Sequence, residues 1–446
     1  MKSEASSSSL REHAVAVVRR LRRAGFVAYW AGGCVRDLLR GAEPKDYDVA
    51  TGATPDEVCE VFPGAKLTGK SFGVVRVHSG GHEFEVATFR QDRGYADGRH
   101  PEAIAFADPE TDARRRDFTI NALFHDPLTG ETHDFVGGIA DLNARLVRTV
   151  GRPEDRFAED HLRMLRAARF SSTLEFRLDP DTADAIRALA PRLTRVSAER
   201  IRDELTRILL ESPHAGGALR LIEELGIIAV VLPEVAAMKG LEQPPEFHPE
   251  GDVFTHTVLM LDGMKTADAR LAFAVLLHDV GKPATVVRAP DRIRFHEHAE
   301  RGAEIARAVM TRLRFPSDDI ETVAFCVGNH MRFMSVREMR RATLRRLVGS
   351  PTFPLELELH RLDCLASHRD LSNFDFLVEF QRQLASEPVL PAPWITGHDI
   401  LALGIPTGPE VGRWHRLAYD AQIEGRFATP EELRAWLGEE MHKRNG

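Results

Sequence analysis

The sequence predicts a small α/β domain, a mixed sheet with helices around it, followed by a remainder that is all helix. Three observations predict this. Residues 10 to 150 alternate strand-like and helix-like segments, broken by turns at Gly41, Gly52, Gly80-Gly81 and Gly137-Gly138. From Pro153 to about Glu234 the apolar spacing is almost purely helical, with segments Arg156 to Phe170, Asp181 to Ala190 and Ala198 to Leu210. Helical spacing then resumes, rich in histidine, beyond a boundary at Gln243-Pro244-Pro245-Glu246-Phe247-His248-Pro249. A chain of 446 residues, 43% hydrophobic and 28% charged, has the length for two to four domains with real cores. No run approaches a membrane span, and Met1-Lys2-Ser3-Glu4-Ala5 with Ser6 to Ser9 lacks the apolar segment of a secretion signal. Residues 1–10 therefore read as a disordered tip and the chain as cytoplasmic, with no membrane and no obligate protein partner. Cys34, Cys59, Cys326 and Cys364 form no C-x-x-C pair, against a disulfide framework or a cysteine zinc site. The net charge of −8 excludes a chain-wide basic field. Local arginines are the alternative, and the cluster Arg337, Arg340, Arg341, Arg345 and Arg346 reads as a solvated helix face.

Taken in order, Phe26 to Trp30 reads as a strand, Gly32-Gly33 as a tight turn and Val35 to Leu39 as the first turns of a helix. Small residues there let backbone N–H groups approach a phosphate chain, and Arg36 adds a fixed charge. Asp46-Tyr47-Asp48-Val49-Ala50 reads as a strand whose period of two sends Asp46 and Asp48 to one face and Tyr47 and Val49 to the other. Two adjacent carboxylates repel unless divalent cations sit between them. A hairpin follows, Gly73 to His78 and Glu83 to Phe89 across Gly80-Gly81, with Glu85 on its polar face as either a third carboxylate or a solvated acid. Arg90 to Pro101, with two glycines and few apolar residues, reads as a mobile loop. Arg114-Arg115-Arg116-Asp117-Phe118-Thr119-Ile120-Asn121 sets guanidiniums beside an acid and an amide, suited to a triphosphate and a ribose, or else forms a solvated helix start. On the helix from Arg156, Asp160 and Arg163 stand three apart on one face, as an ordinary ion pair would. Ser197 opens the next helix as a capping-box residue. Among the histidines, His256, His278-Asp279, His298, His330 and Asp363 combine imidazoles with carboxylates able to hold one or two divalent ions. His296 competes with His298, which is preferred by its spacing from Phe295 and Gly302.

The glycine pair with Asp46 and Asp48, and the run Arg115 to Ala122, resemble the DNA polymerase beta nucleotidyltransferase superfamily, in particular the class II tRNA nucleotidyltransferases and bacterial poly(A) polymerases. The resemblance covers roughly residues 25 to 235. It implies an α/β nucleotidyltransferase head (11–150), a small mixed sheet with helices, and a helical neck (151–240). It also implies two Mg²⁺ on Asp46 and Asp48, with Glu85 as the third carboxylate. The incoming nucleotide would be bound by Gly32, Gly33, Arg36, Arg116, Asp117 and Asn121. Glu159, Asp160, Arg163 and Arg166 would belong to a protein template of the pattern Glu-Asp-x-x-Arg. Cytosine and adenine both set an amino donor beside a ring-nitrogen acceptor, so an Asp acceptor next to an Arg donor matches C and A and mispairs with U and G. The mobile loop resembles one carried by enzymes that add the full CCA end and lacking in CC-adding relatives. Asp134 to Leu142 resembles the family's head–neck hinge.

The ordered set His256, His278, Asp279, His298, His330, Asp363 resembles the HD phosphohydrolase superfamily, implying an HD domain at 241–400 with a divalent metal site for Mn, Ni, Co or Mg, and a helical tail at 401–446. The implied function is template-independent CCA addition to tRNA from CTP and ATP, with a metal-dependent phosphohydrolase acting on 2',3'-cyclic phosphates and 2'-phosphates. The alternatives are a poly(A) polymerase or A-adding tRNA nucleotidyltransferase, or an HD phosphohydrolase with a non-catalytic RNA-binding head.

Overall fold

The computed structural model describes residues 2–69, 73–95, 101–384 and 388–445. It divides into two compact units, Met1–Ala236 and Ala237–Gly446. The first holds nine head strands: β1 (Ala28–Ala31), β2 (Val49–Thr51), β3 (Lys66–Gly69), β4 (Val74–Ser79), β5 (His82–Thr88), β6 (Arg90–Tyr95), β7 (Pro101–Phe106), β8 (Leu123–His125) and β9 (Thr132–Asp134). Seven of them form one mixed sheet in the order β3-β4-β5-β2-β1-β8-β9, in which β2 and β5 are parallel and the other neighbours antiparallel. Gly80 and Gly81, both at positive φ, make the two-residue turn between β4 and β5 that side chains would oppose. Around the sheet lie α1 (Lys2–Arg23), α2 (Gly33–Leu39), α3 (Pro55–Val61), α4 (Pro109–Arg114) and α5 (Gly138–Asn143).

Three expectations change here. The N-terminal tip is helical from Lys2, as the first turns of α1, whose buried stripe Ala14, Val17, Val18 and Leu21 anchors it; extending an anchored helix is cheap compared with nucleating one. The supposed mobile loop is an antiparallel hairpin, β6 with β7, paired from Arg90↔Phe106 to Tyr95↔Pro101, while its tip lies outside the described residues. Asp46 and Asp48 precede β2 instead of lying within it, yet the alternation persists, with Tyr47 and Val49 buried and both acids exposed.

The neck consists of α6 (Pro153–Glu159), α7 (Arg163–Leu174), α8 (Pro180–Leu189), α9 (Ala198–Glu211), α10 (Ala215–Glu224) and the single turns α11 (Ile228–Val231) and α12 (Pro233–Ala236). A short parallel ladder of β10 (Leu146–Val147) with β11 (Arg177–Leu178) ties the end of the head to the neck. The expected continuous helix from Arg156 to Phe170 is broken at Asp160. His161 Nδ1 bonds the Phe157 carbonyl at 2.6 Å and Asp160 Oδ1 accepts the Leu162 N–H at 3.0 Å, so side chains replace the helical ladder there.

The second unit contains α13 (Val253–Asp262), α14 (Ala269–Leu277), α15 (Lys282–Thr285), α16 (His298–Arg312), α17 (Ser317–Asn329), α18 (Arg341–Val348), α19 (Phe353–Ala366) and α20 (Ser372–Gln383), with a small antiparallel hairpin, β12 (Val286–Arg288) and β13 (Ile293–Phe295). Then α21 (Gly397–Ala402), α22 (Pro409–Ile423) and α23 (Pro430–Asn445) share their own core around Trp414, Leu433 and Leu437. The arginine cluster is not a solvated face throughout: Arg345 is buried and donates to the Pro388 and Val389 carbonyls at 2.7 and 2.8 Å, and Arg337 donates to the Ser372 carbonyl at 2.8 Å.

Candidate active sites

In the head, Gly32 at φ 76° turns the chain from β1 into α2, and Cys34 Sγ, at 3.3 Å, donates to the Ala31 carbonyl. The Ala31 N–H bonds the Asp48 carbonyl at 3.0 Å, so the glycine turn and the acidic segment are held edge to edge. The parallel register Val49↔Val86 sets Asp48 level with Glu85 one residue further out, on the same exposed face as Asp46. Packing around the Asp48 carboxyl lifts its pKa to about 6; Asp46 and Glu85 add repulsion, and Arg116 opposes it. Three acids thus share one patch with one guanidinium near. Glu85 also lies 3.8 Å from Arg76 across the hairpin, an exposed pair that leaves it available. A Cβ on Gly32 would sit 3.2 Å from Arg116 Nη1, so the missing side chain lets Arg116 close over the turn.

The motif Arg114 to Asn121 follows the end of α4 and runs into a single 3-10 turn, Thr119–Asn121, instead of starting a helix. Buried Asp112 is clamped by Arg115 at 2.6 Å and Arg116 at 3.1 Å. Arg36 Nη1 donates to Asn121 Oδ1 at 2.8 Å, Asn121 Nδ2 to Asp117 Oδ1 at 3.3 Å, and Arg166 Nη2 to Asp117 Oδ2 at 2.6 Å. Burial opposes the Asp117 charge, but Arg166 and Arg163 hold its pKa down to about 2. One polar chain therefore links α2, the 3-10 turn and α7. Asp134 takes four backbone N–H groups, Val136 to Ile139, at 2.9 to 3.1 Å, and Gly138 lies so close to Thr119 that a Cβ would fall 2.2 Å from its carbonyl oxygen.

Asp160 and Arg163 do not form the expected i, i+3 helical pair, because Asp160 lies in the break between helices. Asp160 instead takes Arg200 Nη2 at 2.6 Å and Nη1 at 3.2 Å, while Arg163 Nη1 donates to Glu159 at 2.5 Å. Ser197 stands at the start of α9 without a side-chain capping bond; what α9 supplies is Arg200 and buried Glu204, which pairs with Arg169 at 2.6 Å.

In the second unit α14, apolar and buried from Leu271 to Leu277, ends on His278, and Gly281 lets the chain cross α16 closely: a Cβ there would lie 2.1 Å from the His298 carbonyl oxygen. Asp279 Oδ1 then lies 3.6 Å from His298 Nε2 and 3.7 Å from His330 Nε2, and His278 Nε2 3.0 Å from Asp279 Oδ2. His256 Nε2 faces Asp363 Oδ1 at 3.1 Å. His296 is exposed, outside this cluster. The Nδ1 atoms of His278, His298 and His330 bond the backbone carbonyls of Val275, Phe295 and Val327 at 2.8, 2.9 and 2.7 Å, which fixes the proton on Nδ1 and leaves Nε2 as a lone pair. Two such lone pairs, on His298 and His330, face each other at 3.2 Å, and buried Nε2 of His256 and of His278 lack a hydrogen-bond partner among the described residues. Converging acceptors of this kind suit a divalent cation. Burial pushes His330 down to about 4, with Asp279 opposing; for His256, burial is outweighed by Asp363 and Glu250, which raise it to about 9.

The poly(A) polymerase head-domain family matches residues 28–148, the family described as the probable RNA and SrmB-binding site of polymerase A matches 175–239, and the HD domain family matches 252–367. The chain is 36% identical to the A-adding tRNA nucleotidyltransferase of Deinococcus radiodurans over 91% of its own length and 94% of the relative's. The chain belongs to the class II tRNA nucleotidyltransferase and poly(A) polymerase family. It is a nucleotidyltransferase with an HD domain. A CC-adding tRNA nucleotidyltransferase of Thermus thermophilus is also 36% identical, over 92% of this chain and 93% of the relative, and a CCA-adding enzyme of Geobacillus thermodenitrificans is 45% identical over 50% and 55%. Among solved structures, the Bacillus stearothermophilus CCA-adding enzyme in complex with CTP superposes with a TM-score of 0.73 at 27% identity, covering 97% of this chain and 98% of that one. Sequence reasoning missed four residues that touch the candidate site groups: Arg200 on Asp160, Lys282 on Asp279 at 2.7 Å, and His248 with Glu250 beside His256. Glu250 sits six residues before His256 in a segment that read as a linker, and no spacing rule flags it.

Proposed function

We propose that the chain completes the CCA end of tRNA from CTP and ATP without a nucleic-acid template, and that its HD unit is a metal-dependent phosphohydrolase. The observation that carries the first activity is the patch of Asp46, Asp48 and Glu85 at the glycine turn, with Arg116 beside it. Bound there, two Mg²⁺ would supply charge neutralisation at the attacking and leaving oxygens. Asp46 and Asp48 are the residues to hold them, with Glu85 completing the set. Arg36 and Arg116 orient phosphates, Gly32 and Gly33 let the chain approach, and Asp117 and Asn121 address the sugar. Asp160 keeps acceptor capacity on Oδ2 beyond its Arg200 bonds, and Arg163 keeps N–H donors on Nε and Nη2 beyond its bonds to Glu159 and to the Arg156 and Arg115 carbonyls, so the two offer an acceptor and a donor to C or A. Glu159 and Arg166 hold that pair and Asp117 in place.

Complete addition is supported by the 45% identity, over half of this chain, to a CCA-adding enzyme and by the hairpin β6–β7, at the place of the loop that resembles the one in enzymes adding the full CCA end. The similarity to A-adding and CC-adding relatives makes those the competing outcomes. Supplying tRNA that lacks its end with CTP alone, ATP alone or both separates them: two C from CTP alone and a further A with both nucleotides is expected. Addition of A only to tRNA already ending in CC would overturn the proposal. For the HD unit, hydrolysis of a 2',3'-cyclic nucleotide with Mn²⁺, Ni²⁺, Co²⁺ or Mg²⁺ is expected, and no turnover with any of them would refute it.

A further inference from the structure

His256 is held differently from the other three imidazoles of the cluster, His278, His298 and His330. Theirs are pinned by neutral backbone carbonyls; its Nδ1 instead meets a carboxylate, Glu250 Oε1, at 2.6 Å. The same oxygen receives His248 Nδ1 at 2.9 Å, and the two rings lie edge to face with centroids 5.0 Å apart. The Glu250 side chain is 6% exposed, and its second oxygen is buried without a hydrogen-bond partner among the described residues. A carboxylate only accepts, so both Nδ1 atoms carry a proton, and Nε2 of His256, turned toward Asp363, is the one ring atom left to give up its proton to a metal.

We infer that Glu250 is a positioning residue for the metal centre, fixing the tautomer and ring orientation of His256 and making its Nε2 a stronger donor, while His248 holds Glu250 in place. This rests on the HD reading above. Three features favour it over packing alone. A buried carboxylate is costly unless its charge is used, a linker glutamate has cheaper solvated alternatives, and an outer carboxylate behind a ligating imidazole raises that ligand's basicity. The segment between Gln243 and Glu250 is thus part of the centre: Gln243 Oε1 also takes Lys282 Nζ at 2.6 Å, and Lys282 in turn reaches Asp279.

Titration of the full chain with Co²⁺, followed by calorimetry and by the visible absorption of bound Co²⁺, tests the inference. Wild type should show a binding class that Asp279→Ala removes. Glu250→Gln, nearly isosteric, should weaken that class by roughly 10- to 100-fold and shift its absorption, Glu250→Ala should weaken it at least as much, and His248→Ala should weaken it less. The melting temperature of the metal-free Glu250→Gln protein, close to wild type, shows that the fold survives. Wild-type affinity and spectrum in both Glu250 variants, with binding still lost in Asp279→Ala, would overturn the role of Glu250 alone. Identical titrations of wild type and Asp279→Ala would overturn the metal centre itself and this inference with it.

Discussion

Asp48 pays a stability cost for its position. Its pKa in the folded chain is about 6, above the ordinary carboxylate value, so ionising it costs more in the folded than in the unfolded state. The penalty is absent below about pH 4, grows as pH rises through about 6 and is complete by about pH 8. Asp48→Asn should therefore raise the melting temperature at pH 8, with the gain shrinking below pH 6 and vanishing near pH 4, while abolishing nucleotide addition. Equal melting temperatures at pH 8 would mean that the acid patch is not strained. Asp160 and Arg163 give a second test. Reversing their polarity together, Asp160→Arg with Arg163→Asp, should weaken CTP and ATP use and admit UTP or GTP, read by incorporation of each labelled nucleotide. Unchanged selectivity would reduce the two to partners of Arg200 and Glu159.

At the scale of elements, the glycines at two crossings decide what can meet. The contact of α5 with the 3-10 turn closes around Gly138, where an added Cβ would lie 2.2 Å from the Thr119 carbonyl oxygen. Gly138→Ala should cost about 1–3 kcal/mol or more, measured as an earlier unfolding transition in urea, and should also depress nucleotide addition because the same turn carries Asp117 and Asn121. The strands and hairpin of the head were legible because period-two alternation and paired glycines are local signals. The helix break at Asp160 was not, since the apolar spacing of Leu162 and Leu165 runs on through it and only side-chain bonds from Asp160 and His161 undo the ladder. The hairpin β6–β7 escaped because its first strand, Arg90–Tyr95, is polar and carries no period-two apolar signal.

For the whole molecule, the acid patch lies in the unit Met1–Ala236 and the histidine cluster in Ala237–Gly446. Asp279→Ala should accordingly remove hydrolysis of a cyclic nucleotide and leave nucleotide addition at the wild-type rate; a parallel loss of both would show coupling between the units. The order His, His-Asp, His, His, Asp was readable in the sequence because it is a pattern of residue types along the chain. Their anchoring by backbone carbonyls and Glu250 depends on contacts between distant segments and was not. The proposed function has the head of this chain build a CCA end on its own acid patch. Sequencing the 3' termini of tRNA lacking its end, after incubation with CTP, ATP and Mg²⁺, tests it most directly. Wild-type protein should leave termini ending in CCA and Asp46→Ala should leave them unextended; termini ending in A alone or CC alone, or extension by Asp46→Ala, would contradict it.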